Sequence, residues 1–445
     1  MSEPRRRSGI LCDDVEALAA LVPDGAPVIV NKGEGADMPF ATLRGLIGTD
    51  LAAHNPDRVL IDNPFQPGDR VMGRRAITPD VALIHAELAD SEGNIRIGRQ
   101  RDILLAAHAA KTVLVTVERV VEGSFIDDEV RAAGVVPSFH ITALAEARAA
   151  PCRRARRAWT LTRCAPMPPP RAIPARCAPG WPSGSSPLRG PRNGRGRRDR
   201  AARGNPRRRH RRAVRGRGGH VAVGMASPLP AAGALLAREC SGGRMQVSIL
   251  GHPGASRWTT SGSGLFDLAG TGGIDGVFLS GGQIDGHANT NLVGVGDCPR
   301  TRGRWSGSFG SAHLYFVVPR VILFRWEHSR RTLVEAVDFI GAPGVSDPGV
   351  HRTGGPIALI TYLCLFDFDR ARARFSLRAA HPGHALDEVR DNTGFDFDLP
   401  AEVPMTTEPD AATPARLRGP VATCVAGIYP LFAREVFGLA AGGAP

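Results

Sequence analysis

Two glycines placed directly after a short apolar run let main-chain N–H groups approach an anionic or polarised atom with no Cβ in the way. Gly281 and Gly282 hold that position, behind Val277-Phe278-Leu279 and ahead of Gln283, Asp285, Asn289 and Asn291. Open α/β sheets bind ligands at the carboxyl ends of their strands. The stretch Ser280-Gly-Gly-Gln-Ile-Asp-Gly-His-Ala-Asn-Thr-Asn291 is therefore a candidate for stabilising an oxyanion through backbone amides. The competing reading is a tight turn with φ > 0, in which Asp and Asn side chains bond nearby amides and only shape the loop. A second glycine-rich loop, Gly307-Ser-Phe-Gly-Ser311, adds Gly307, Ser308 and Gly310 as candidates. Two carboxylates sit near plausible site loops and could act as a general base on water: Glu34, between Gly33 and Gly35, and Glu118, after Val113-Leu-Val-Thr-Val117.

The elements that must position these loops recur. Ile84-His-Ala-Glu-Leu-Ala-Asp-Ser-Glu-Gly-Asn-Ile95 is a weaker copy of the Ser280–Asn291 stretch. Each has an apolar run, a polar turn (Asp90 to Asn94, Asp285 to Asn291) and a second apolar run, Ile95 to Ile97 or Leu292 to Val295. A β-rich run follows each copy, Val113 to Val117 and Leu314 to Phe324. Such self-similarity predicts two related halves. The spacing predicts strands at Val28–Val30, Val59–Ile61, Val81–Ile84, Ile95–Ile97 and Val113–Val117, then at Val221–Val223, Gln246–Leu250, Gly276–Leu279 and Val321–Phe324. Helices are predicted at Ala17–Leu21, Ile103–Ala110, Asp127–Ala133 and Pro230–Glu239, with a short one opening at Asp387–Arg390. Strands alternating with helices favour α/β architecture with mainly parallel sheets covered by helices.

At 445 residues, 42% hydrophobic and 22% charged, the chain has material for two or three globular domains. No apolar run reaches the ~18 residues of a membrane helix, and the Arg-rich start lacks an apolar signal core. Eight cysteines without a Cys-x-x-Cys pair read as reduced thiols in a cytoplasmic protein. No metal, nucleotide or flavin pattern is evident.

The net charge of +13 is a local effect. Residues 151–219 hold 21 arginines, no lysine and one acid, Asp199, a balance of +20 that leaves −7 for the rest. Three readings stand: an arginine-rich nucleic-acid arm, a disordered Arg/Pro/Gly-rich linker, or GC-rich coding DNA translated out of frame. Only Trp159 and Trp181 could stack on bases, and composition changes abruptly at Ala150 and His220. No specific nucleic-acid partner is expected.

The Asp-x-x-Gly-Asn turn, the Gly-Gly-Gln-Ile-Asp-Gly286 stretch and His381-Pro-Gly-His-Ala-Leu-Asp-Glu-Val-Arg-Asp-Asn-Thr-Gly394 together resemble family I coenzyme A transferases. Arg44 to Leu144 is similar to the later part of an α-type subunit, and His220 to Phe437 to most of a β-type subunit. The resemblance implies three regions: a truncated α-type half (1–150), the segment 151–219, and a β-type half (220–445). The resemblance implies further that an α/β segment carried by the family is deleted near residue 41. It also implies chemistry on an acyl-CoA thioester with a small carboxylic acid as CoA acceptor, no bound cofactor, no membrane, and an open question of homo-oligomerisation. Gly281, Gly282, Gln283, Asp285, Asn289, Gly307, Ser308 and Gly310 would then contact substrate or CoA, and Arg320, Arg325, Arg330, Arg331 and His328 its phosphates. Family I transferases use a β-half glutamate as nucleophile. The matching stretch, Gln246-Val-Ser-Ile-Leu-Gly-His-Pro-Gly254, has no acid, and His252 is its ionisable group. One branch without that glutamate resembles the acyl-CoA hydrolases that open the last ring in bacterial steroid degradation. That activity, and an inactive remnant of such an enzyme, are the alternatives to CoA transfer.

Overall fold

The computed structural model describes residues 21, 28–30, 40–147, 219–225, 227–250, 262–305, 307–308 and 310–439. Residues 151–218, residues 17–20 of the expected helix Ala17–Leu21, Glu34 and His252 lie outside the described residues. Two compact units result. One holds Val28–Val30 and 73–147; the other holds 43–72 and most of the described chain from 219 onward.

The first unit is built on Val81–Asp90, which pairs in parallel with Val28–Val30 and with Thr112–Val121. Thr112–Val121 pairs in parallel with Ala143–Glu146. Ile95–Arg96 folds back antiparallel on Leu88–Ala89 and pairs with Val135–Val136. Between residues 82 and 87 buried and exposed positions alternate, as a pleated strand with one covered face requires. Ala82, Ile84 and Ala86 join Val113, Val115, Val117 and Ile103 in the core, whereas Leu83 is 37% exposed. The expected covering by helices therefore holds for one face of this sheet among the described residues.

The second unit carries a seven-stranded sheet in the order Gln246–Ile249, His220–Val223, Gly276–Leu279, Arg320–Arg325, Pro356–Thr361, Cys364–Asp369, Arg374–Ala380. The first five strands run parallel and the last two return antiparallel. Helix Pro228–Cys240 begins with prolines in its first turn, where a missing N–H costs nothing. It buries Ala231, Ala234 and Leu235 against Val221, Val223 and Ile249, and Val421, Val425 and Ala433 of the C-terminal helices join the same cluster. The expected mainly parallel α/β design is present in both units.

The run beginning at Leu314 departs from its β-rich reading. Ser311–Val317 is a helix, and the strand starts only at Arg320, beyond Pro319. A short apolar run reads alike as a buried helix or a buried strand. Gly310, at φ 81°, caps the helix, and Ala312, Tyr315 and Phe316 bury its inner side.

Candidate active site

At the carboxyl end of Gly276–Leu279 the chain passes through Gly281 and Gly282 into a two-residue ladder, Gln283–Ile284 against Thr290–Asn291. The turn between the ladder strands is made by the Asp285 carboxylate, which is 4% exposed. Its Oδ1 accepts from the amides of His287 and Asn289, both at 3.0 Å, and its Oδ2 from Asn289 Nδ2 at 3.0 Å. Asn289 Oδ1 in turn accepts the Gly344 amide at 3.1 Å. Gln283 is 6% exposed. Its Oε1 accepts from Asn291 Nδ2 at 2.7 Å and the Asp338 amide at 3.0 Å. The polar side chains of Gln283, Asp285 and Asn289 are thus occupied in holding the loop, the turn-shaping role that aspartate and asparagine commonly take.

The two glycines differ. The Gly282 amide donates to Asn291 O at 2.8 Å, and a Cβ there would lie 2.2 Å from the Trp305 ring. Gly282 is glycine because an indole lies on it. The Gly281 amide has no acceptor among the described residues, and a Cβ there would lie 2.7 Å from Gln283 O. Trp305 donates its own amide to Val293 O at 2.9 Å, which ties the indole to the same hairpin.

The Gly307–Gly310 loop begins two residues after Trp305. Gly307 takes φ 95°, and Gly310 packs under Phe266, whose ring would be 2.4 Å from an added Cβ. Ser308 O accepts the Ser311 amide at 2.8 Å. The two loops meet at Gly341, where an added Cβ would be 2.9 Å from Ser308 Oγ and 3.2 Å from Thr290 O. Below them Tyr315, fully buried, donates to Ala288 O at 2.7 Å, and burial raises its phenol well above the usual value. His313, on the same helix, is pushed down by burial.

Other candidates fall elsewhere. Glu118 lies within strand Thr112–Val121 of the first unit, not after it, because the strand runs four residues beyond Val117. In the basic run, Arg331 forks onto Glu327 at 2.8–3.1 Å, Arg325 reaches Glu327 at 3.4 Å, and Arg330 donates to Asp391 O at 2.7 Å. Glu327 thus takes Arg325 and Arg331, whereas Arg330 goes to a backbone carbonyl. His328 is buried between Thr361 Oγ1 at 2.8 Å and Thr393 Oγ1 at 2.9 Å. Burial lowers its pKa to about 4, so it is a neutral structural group and not a cation for phosphate. Trp305 and Gly341 escaped the sequence reading. The single legible signal was a tryptophan abutting a glycine-rich run.

Residues 35–139 and 217–392 match the coenzyme A transferase family model. The 3-oxoadipate CoA-transferase of Pseudomonas knackmussii is similar through both of its chains. One is 30% identical over 144 residues, 31% of this chain and 55% of that one. The other is 40% identical over 89 residues, 19% of this chain and 30% of that one. A cholesterol ring-cleaving hydrolase IpdB subunit from Rhodococcus jostii is 28% identical over 149 residues, 33% and 58% of the two chains. The chain thus spans about half or less of the curated relatives it matches. An acyl-CoA transferase from E. coli O157:H7 (YdiF), solved as a thioester complex with CoA, shares the fold with a TM-score of 0.54 at 17% identity, covering 85% of this chain and 74% of that one. With the family model matched over more than half of its residues, the chain belongs to the coenzyme A transferase family.

Proposed function

We propose that this protein acts on an acyl-CoA thioester, moving CoA between carboxylic acids, with the thioester carbonyl oxygen facing the Gly281 amide. The observation that carries the reading is the pair of unequal glycines at a strand's carboxyl end. One amide is held in the hairpin by Asn291 O, and its neighbour has no acceptor among the described residues. A preorganised N–H aimed at a developing oxyanion is worth roughly 10²–10³ in rate. Gln283, Asp285 and Asn289 keep that amide in place, and Trp305 fixes the Gly282 side of the loop. Gly307, Ser308 and Gly310 supply the adjoining wall. The fused arrangement of halves 1–150 and 220–445 and a cytoplasmic setting belong to the same reading; among the described residues no helix is long and apolar enough to cross a membrane.

The second reading is hydrolytic carbon–carbon cleavage of a cyclic dione CoA thioester in steroid degradation. It is favoured by the acid-free stretch Gln246–Gly254 and by the likeness to the ring-cleaving hydrolase. Glu34 and Glu118 are the general bases offered for water. Incubation with an acyl-CoA, a labelled carboxylic acid and H₂¹⁸O separates the readings. Label in a new CoA ester means transfer, and ¹⁸O in a released or ring-opened acid means hydrolysis. Borohydride or hydroxylamine trapping of a glutamyl thioester supports transfer through a covalent step. Loss of neither substrate over hours means an inactive remnant and overturns both. Resequencing codons 140–225 in all three frames decides the origin of 151–219.

A further inference from the structure

Two arginines of the second unit stand together without an acid. Half-buried Arg352 precedes strand Pro356–Thr361, and exposed Arg370 follows the antiparallel strand Cys364–Asp369, so both lie at the amino end of Pro356–Thr361. Arg352 Nη2 and Arg370 Nη1 each come within 3.5 Å of the spot where a Cβ on Gly355 would sit, and the Arg370 stem lies 3.0 Å from it. Glycine, at φ 148°, lets the two side chains close on that spot. Part of Arg352 is structural. Its Nε donates to Gly354 O at 3.0 Å, Nη1 to Ser346 Oγ at 3.3 Å and Nη2 to Tyr315 O at 3.0 Å, and its Cζ lies 5.3 Å from the Tyr315 ring centre. All of these partners are neutral. A guanidinium has five N–H donors, so one remains on each terminal nitrogen of Arg352. Arg370 makes no hydrogen bond or ion pair among the described residues. Its neighbours Arg372 and Arg374 have taken Asp398, at 2.7 and 2.6 Å. Burial brings the Arg352 pKa down to about 10, and the charge of Arg370 adds to the fall.

A half-buried guanidinium facing a second one is costly unless an anion lies between them. Buried charges in folded proteins are paired, and among the described residues no carboxylate pairs with either arginine. Two positive charges have to be matched. A carboxylate brings one negative charge and is met by one guanidinium fork. A phosphate group brings about −1.5 to −2 near neutral pH and three acceptor oxygens, enough for both arginines. Arg320, exposed at the start of the neighbouring strand Arg320–Arg325, adds a third positive charge, and Val321 beside it donates its amide to Gly355 O at 3.0 Å. We infer that Arg352 and Arg370 form a phosphate-binding site over Gly355, which takes inorganic phosphate or a phosphate monoester with both guanidiniums donating to its oxygens. The site stands at the opposite strand end from Gly281, which follows the carboxyl end of Gly276–Leu279. It is independent of the acyl-CoA reading.

Hydrogen exchange of the full chain, read by mass spectrometry on the peptides covering 350–357 and 367–373, tests it with phosphate raised from zero to about 20 mM. A local readout is required because the 21 arginines of 151–219 also attract phosphate. Exchange in both peptides should slow as phosphate rises. Arg370→Gln removes a side chain that makes no bond among the described residues, so its thermal melt should match the parent's. It should raise the phosphate concentration for half-protection at least about tenfold. Arg370→Glu puts an acid beside Arg352; it should abolish the response and raise the melting temperature in phosphate-free buffer by about 2 °C. Glycerol 3-phosphate run against inorganic phosphate separates the two sources. Tighter protection by the ester assigns the site to an ester, equal or weaker protection assigns it to the free ion, and either supports the site. A parent unprotected at the highest phosphate concentration, an Arg370→Gln variant protected like the parent, an Arg370→Glu variant that melts below the parent, or succinate protecting as well as phosphate would each overturn the inference.

Discussion

The Asp90 and Asp285 turns, one in each unit, are the same device with different surroundings. In both, a buried aspartate Oδ1 accepts two amides of its own turn, at 3.0 and 2.8 Å for Asp90 and 3.0 and 3.0 Å for Asp285. In both, Oδ2 takes the side-chain amide of the asparagine four residues on, and the backbone closes from that asparagine's carbonyl to the aspartate N–H. In both, the asparagine Oδ1 accepts a distant amide, Ser138 for Asn94 and Gly344 for Asn289. The difference lies in what is attached. Asp90 also anchors Phe125 N at 2.7 Å, and its strand leaves Leu83 and His85 exposed. The Asp285 turn is preceded by Gly281-Gly282, covered by Trp305 and braced by Tyr315. A repeated turn supplies a rigid corner, and one copy adds to it a glycine pair and an aromatic cover.

The largest expected effect breaks the corner itself. Asp90→Ala strands four donors and should cost about 3–5 kcal/mol, and Asp285→Ala, with three donors, about 3 kcal/mol. Urea titrations check both. An Asp285→Ala cost under about 1 kcal/mol would mean that the two turns share shape but not energetics. Next comes the feature that one copy has alone. Gly282→Ala should cost about 3 kcal/mol and lower acyl-CoA turnover at least about 100-fold. In the Trp305→Ala background the same substitution should cost clearly less, the coupling expected of atoms in contact.

Acid should then separate the units. His328 is held below its unfolded value, so the unfolded chain takes the proton first. The stability of neutral His328 is present above pH 6.5 and is lost as pH falls toward 4. A loss of about 2 kcal/mol between pH 7 and pH 5 is expected for the second unit. It should be seen in the emission of nearby Trp326 and be much reduced in His328→Gln. The smallest effect concerns one backbone position. Gly93 takes φ 84°, and its counterpart in the other turn, Ala288, takes φ 59°. Gly93→Ala should cost about 1 kcal/mol. Ala288→Gly should change stability by less than about 1 kcal/mol, because relief of the left-handed conformation offsets a lost buried methyl. Paired thermal melts measure the two.

Period-2 and β-branched runs marked most strands because burial on a pleated sheet leaves that trace: Val81, Val113, Gly276 and Val321 all lie in strands where expected. Leu314–Val317 escaped because a short, fully apolar segment carries no period, and only the caps and neighbours decide it. The Asp–Asn turns were legible because their bonds span four residues. The linear order of residues was enough to reveal two related halves, the Asp–Asn corners and family membership, since all three depend on neighbours in the chain. Which glycine amide stays without an acceptor among the described residues, that Trp305 roofs Gly282, and that Glu327 takes up Arg325 and Arg331 were settled by three-dimensional packing. Those contacts join segments tens of residues apart or rest on ångström-scale clearances, and no local pattern encodes a clearance.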